Sequence, residues 1–182
     1  RNFQLSFVPG ISTQGKLSSQ ISNNFSVNIV GGYTGGVKVM EVGGVFNINK
    51  KNVQYFQAAG VFNLVGGTVK GFQMAGVHNT VLSNTSGFQS AGVSNYVKGK
   101  FNGLQMAGVY NHVTDSVKGW QMAGVGNFSK GKIKGWQLAG VFNFSNKEIR
   151  GGQMAGVINY TKKLKGVQIG LINIADTSDG YS

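Results

Sequence analysis

The chain has 182 residues, of which 30 are Gly, one is Pro and none is Cys, and its 17 Lys and Arg against five Asp and Glu give a formal charge of +12. Without Cys, disulfide scaffolds, thiolate-bound metals and thiol catalysis are excluded, and with a single Pro so is collagen. A 41% hydrophobic and only 12% charged composition argues against disorder and allows one domain with a buried core.

No apolar run approaches the ~18 residues of a membrane-spanning helix, so none is expected. No secretory leader is visible. The sequence opens on Arg1 rather than Met, which fits an exported protein whose leader was removed or is not included.

Residues 1–36 alternate like strands over Asn2–Val8 and Asn24–Val30, separated by the Pro9-Gly10 turn and a Ser/Gln/Thr-rich loop. They are read as an N-terminal β cap covering an open strand edge.

From residue 37 to 175 one phrase recurs: GFQMAGVHN at Gly71, GFQSAGVSN at Gly87, GLQMAGVYN at Gly103, GWQMAGVGN at Gly119, GWQLAGVFN at Gly135 and GGQMAGVIN at Gly151. Its Gln column is Gln73, Gln89, Gln105, Gln121, Gln137 and Gln153, and its Asn column is Asn79, Asn95, Asn111, Asn127, Asn143 and Asn159. The period is 16 throughout. Gly inside each unit disfavours helix, while Val, Ile and aromatics suit strands. Sixteen residues at ~3.3 Å trace roughly 53 Å, the path of two or three short strands with tight corners. The expected fold is therefore all-β: a parallel β-solenoid of about nine 16-residue coils, a rod about 40 Å long at ~4.8 Å per coil.

Alternation divides each coil into two side-chain sets. Around Trp136 one set is Ile133, Gln137, Ala139, Val141 and Asn143; the other is Lys134, Trp136, Leu138, Phe142 and Phe144. The first set hardly varies between coils, as expected of residues that touch mainly their own copies, and identical amides can satisfy one another along a stack. Gln, Ala, Val and Asn are accordingly placed inside; the alternative puts the aromatics inside. With the amides inside, Phe72, Phe88, Trp120, Trp136, Met106 and Met122 form an outer apolar face, larger than a free monomer normally exposes. It is a candidate docking face, unless other parts of the chain cover it.

The position before each repeat Gly is cationic in most coils, giving a candidate basic stripe of Lys70, Lys118, Lys134, Arg150 and Lys165. Such a stripe suits a polyanion, and also suits solubility and protection of sheet edges. Catalysis finds little support. Glu41, Asp115, Glu148, Asp176 and Asp179 form no pair in register. His78 and His112 stand two coils apart, too far to share a metal at ~4.8 Å per coil. The turns lack the regular Asp of calcium-binding repeats. No catalytic residue, metal or cofactor is expected, and no nucleic-acid motif is present.

The nine-fold [Val/Ile]-Lys-Gly-x-Gln-x-Ala-Gly-Val-x-Asn phrase, with the flanks FQLSFVPGISTQGK, SNNFSVNIVGGYTGG and GLINIADTSDGYS, resembles the surface-repeat proteins of Gram-negative bacteria, most familiar from Bacteroidota. The resemblance implies an exported, outer-membrane-associated protein, on the periplasmic side or at the cell surface, with no established activity. The expected function is a non-enzymatic binding or scaffold module that docks another envelope protein, an outer-membrane complex, or an anionic glycan such as lipopolysaccharide. The alternatives are a transmembrane β-barrel and a fibre-forming surface protein. In the last unit, GVQIGLIN, the Gln-x-Ala-Gly spacing is one residue short, which leaves its register open. Residues 176–182 are read as the start of a further coil.

Overall fold

The computed structural model describes residues 2–179. It is a parallel β-solenoid of about ten turns. Each regular coil has a seven-residue strand such as Val117–Ala123, a two-residue Gly-Val corner, a four-residue strand such as Gly126–Ser129, and a three-residue loop. Corresponding strands of successive coils pair in parallel with identical residues opposite one another, Gln105 to Gln121 to Gln137 on the long sheet and Asn111 to Asn127 to Asn143 on the short one. An up-and-down barrel needs neighbouring strands of alternating direction, so the barrel alternative gives way to the solenoid.

The interior combines two apolar columns with two amide ladders. Val53, Val69, Phe101, Val117, Ile133 and Ile149 line one edge, and Val65, Val81, Val97 and Val113 the other. Between them the Gln column from Gln57 to Gln153 and the Asn column from Asn47 to Asn159 are buried. The side-chain Nε2 of each Gln donates to Oε1 of the Gln one coil earlier, for example Gln121 to Gln105 at 2.8 Å and Gln137 to Gln121 at 2.9 Å. The Asn ladder points the other way: Nδ2 of Asn111 donates to Oδ1 of Asn127, one coil later, at 2.9 Å, and also to the carbonyl of Met122. A buried primary amide left unbonded is costly, and here register supplies a partner at every step.

The expected inward set needs one correction. Val141 is 42% exposed, as are its equivalents from Val45 to Val157 to similar degrees. Alternation does not run through the corner, because Gly140 and Val141 together make the bend. The inward place falls instead to the residue two after Asn, here the buried Ser145.

The first 36 residues do more than cover an end. Strand β1 (Phe3–Val8) pairs in parallel with β3 (Ser22–Asn28), β3 with the strand Gly36–Gly43, and β4 (Gly31–Thr34) with Phe46–Asn49. Residues 22–34 thus form a coil of the stack that lacks the repeat phrase. Gly32 stands opposite Asn47, and Asn28 reaches from the other strand into the space a side chain at Gly32 would fill. From there Asn28 donates to Asn47 at 2.7 Å, continuing the ladder. A short strand β2 (Ile11–Ser12) folds back antiparallel on the outer side of β1, followed by a 3-10 turn over Gly15–Gln20. That arrangement covers part of an edge that would otherwise invite pairing.

At the other end the register holds despite the shortened unit: Gln153 faces Gln168 and Asn159 faces Asn173. One missing residue is absorbed at a register shift between Ser145 and Glu148, and one at the following corner. Residues 180–182 of the expected further coil lie outside the described residues. Thr85 occupies an apolar column between Val69 and Phe101, and its buried Oγ1 has no hydrogen-bond partner among the described residues. Thr85→Val is expected to stabilise the fold by about 1 kcal/mol, read as a raised urea midpoint with unchanged m-value.

Candidate functional site

The long sheet turns three parallel columns outward. The cation column runs Lys70, Ser86, Asn102, Lys118, Lys134, Arg150 and Lys165, each in register with the next. Beside it runs Phe72, Phe88, Leu104, Trp120, Trp136 and then Gly152, and beside that Met74, Ser90, Met106, Met122, Leu138 and Met154. The predicted basic stripe and aromatic face are therefore brought together on one surface. Lys70 stands apart from the other cations, separated from Lys118 by Ser86 and Asn102.

The aromatic column is ordered by its own contacts. Phe72 lies 6.0 Å from Phe88, and Trp120 stacks on Trp136 with centroids 6.1 Å apart and planes 24° apart. Trp136 also covers Gly152, where any Cβ would collide with its indole ring. The missing side chain is what lets Trp136 lie down, and Trp120 remains 48% exposed on top of it.

Electrostatics differ along the stripe. Glu148 accepts from Arg150 at 2.7 Å and lies 3.9 Å from Lys165, and Asp179 lies 4.0 Å from Lys165. The Arg150 hydrogen bond holds the Glu148 carboxyl below the usual carboxylate range. No ion pair within 4 Å reaches Lys118 or Lys134 among the described residues. These two border a groove of about 410 Å³ that also contacts Lys100, Asn102, Ser116 and Lys132, with Phe101 and Val117 at its base. Its lining carries four lysines and no acid.

Lys100 and Lys132, in the connecting loops, add two further cations to the groove. One feature was not singled out from the sequence. On the outer face of the short sheet, Tyr96, His112, Phe128, Phe144 and Tyr160 form one continuous stack with centroids 4.7–5.3 Å apart. The residue after each ladder Asn carried that signal, starting with the non-aromatic Ile48, Leu64 and Thr80, which obscured it.

The remaining titratable groups are dispersed. His78 sits between two hydroxyls, with Nδ1 2.6 Å from Ser94 Oγ and Nε2 2.7 Å from Thr80 Oγ1, and burial lowers its pKa. A relay of the serine-hydrolase type needs a carboxylate on the second nitrogen, and a hydroxyl is there instead. Burial, and secondarily Lys130, lower the pKa of His112. Among the described residues no three of His, Cys, Asp and Glu lie together as metal ligands, and no helix is long and apolar enough to cross a membrane.

Glu41 is the one acid in the core. It replaces Gln at the start of the regular ladder, accepting from Gln57 Nε2 at 2.8 Å and from Asn28 Nδ2 at 3.1 Å. Burial raises its pKa from 4.5 to about 7, against the hydrogen bonds that favour the anion. The folded state therefore holds a proton that the unfolded chain has released between these values. Its contribution is fully present below pH 4.5 and is lost as pH rises through about 7, a difference of about 3 kcal/mol. Glu41→Gln is expected to abolish this slope, seen as urea midpoints for the variant and the parent that diverge between pH 4.5 and 8.

No protein-family model, curated protein or solved structure matches this chain.

Proposed function

We propose that the chain is a non-catalytic binding scaffold of the bacterial envelope, and that its long outer face holds an extended anionic glycan. The observation that carries this reading is the in-register run Lys118, Lys134, Arg150 and Lys165 beside the stacked Trp120 and Trp136. Flat aromatic rings offer a surface on which sugar rings lie, while cations at ~4.8 Å intervals meet acidic substituents spaced along the polymer. A rigid stack needs no reordering to present these groups, which lowers the cost of binding. The envelope setting rests on the resemblance to surface-repeat proteins.

Binding to immobilised dextran sulfate and to neutral dextran tests the reading. The protein is expected to retain the sulfated polymer at low salt, to release it as salt screens the lysines, and to ignore the neutral one. Replacing Lys118, Lys134 and Arg150 together by Gln should weaken retention at least ten-fold, and Trp120→Ser with Trp136→Ser several-fold. Equal retention of both polymers, or retention unchanged in both variants, would rule out this face as the glycan site.

A further inference from the structure

A groove of about 610 Å³ runs along the stack where the Met column meets the Ala-Gly corner, lined by Met106, Met122, Leu138 and Met154 with Ala107 in its floor and Ser90 at one end. We infer that this groove takes a single acyl chain of an anionic lipid, so that the glycan of the outer face belongs to a glycolipid; the inference rests on the glycan reading for the head group.

The groove's dimensions favour that occupant. It spans five coils, from Ser90 to Met154, which at ~4.8 Å per step is about 19 Å. One acyl chain fills half of a bilayer's hydrocarbon core of about 30 Å, or about 15 Å. Across, it covers three consecutive positions of a coil, residues 106–108, or about 7 Å at ~3.3 Å per residue. A helix with its side chains measures about 10–12 Å and is too wide. The valley is also fixed by the fold. A Cβ on Gly92 or Gly108 would run into the carbonyl oxygen of the glycine one coil earlier, so no side chain can fill the corner.

Chemistry points the same way. Thioether side chains are flexible and polarisable and conform to an alkyl chain, and the lining turns polar only at Ser90. The strands that carry Met122 and Leu138 also carry Lys118 and Lys134, stripe cations that lie outside any ion pair among the described residues. An apolar channel and a cation column on the same strands suit a molecule with an acyl chain and an anionic head.

The test is a titration of the ¹³C-methyl-labelled Met resonances with palmitate below its micelle concentration, alongside dextran sulfate binding of the same samples. Saturable shifts are expected at Met106, Met122 and Met154, with affinity at least ten-fold lower in Met122→Gln/Leu138→Gln and dextran sulfate binding unchanged. Both substitutions lie on the outer face, and circular dichroism checks that the coil is retained. Absence of saturable shifts, shifts confined to other methionines, or equal affinity in the double variant overturns the inference. Met shifts that track protein concentration without palmitate overturn it too, naming a second copy as the occupant. If palmitate binds as expected but dextran sulfate does not, the glycan reading fails and the acyl-chain groove stands.

Discussion

Gly119→Ala is expected to destabilise the solenoid by at least about 4 kcal/mol. Gly119 has φ +120°, a conformation L side chains rarely adopt, which alone costs about 1–3 kcal/mol. The added Cβ would also lie far inside van der Waals contact with the Gly103 carbonyl oxygen one coil earlier. That oxygen belongs to a backbone locked in register on both sides, so it has nowhere to move. Gly71, Gly87, Gly103, Gly135, Gly151 and Gly166 share the positive φ. The one exception in the column, Tyr55 at φ 66°, stands near the start of the regular stack and is largely exposed. Equilibrium urea unfolding checks the prediction; a loss under 1 kcal/mol would mean that the stack can shift locally. Gly10, with open space around its missing Cβ, is a control for the conformational part alone.

Gln121→Leu is expected to cost about 4 kcal/mol although Leu is close in size and more hydrophobic. Two partners are stranded at once. Gln105 Oε1 loses its donor and Gln137 Nε2 loses its acceptor, both at positions closed to water. Each orphaned buried group costs about 1–3 kcal/mol. Gln121→Glu should be comparably damaging at pH 8, because it can accept from Gln137 but has nothing to donate to Gln105. Glu41 escapes that problem: the coil before it places Ser26 in the column, and Asn28 supplies a second donor. Replacing Gln105, Gln121 and Gln137 together by Leu should cost less than three times the single change, since the gaps within the run disappear and only its ends remain unpaired. A strictly additive triple variant would show that the ladder does not act as a connected chain.

The ladders were readable from the sequence because their residues repeat without variation while the outer columns drift. An inward side chain faces its own copies, and constancy through Gln73 to Gln153 is the trace of that contact. The corner was not readable, since strict alternation carries Val141 inside, and only the bend at Gly140 turns it out. The coil formed by residues 22–34 was hidden for a different reason. There the ladder amide comes from Asn28, on the long strand, across from Gly32, so the column continues in space but not in the spacing of letters. For the outer face, the sequence supplied the columns. It could not supply the pairing of Glu148 with Arg150 and Lys165, which leaves Lys118 and Lys134 outside any ion pair among the described residues.

The opposed directions of the two amide ladders have an electrostatic effect. Aligned head to tail, amide dipoles add up, as they do in an α-helix, and place partial charges at the two ends. Here the Gln amides point their donors toward the start of the chain and the Asn amides toward its end, so each coil contributes two side-chain dipoles that largely cancel. A coil can be added or removed without building a field along the axis. The net field of the rod is then left to its surface lysines, which the outer face turns toward a ligand.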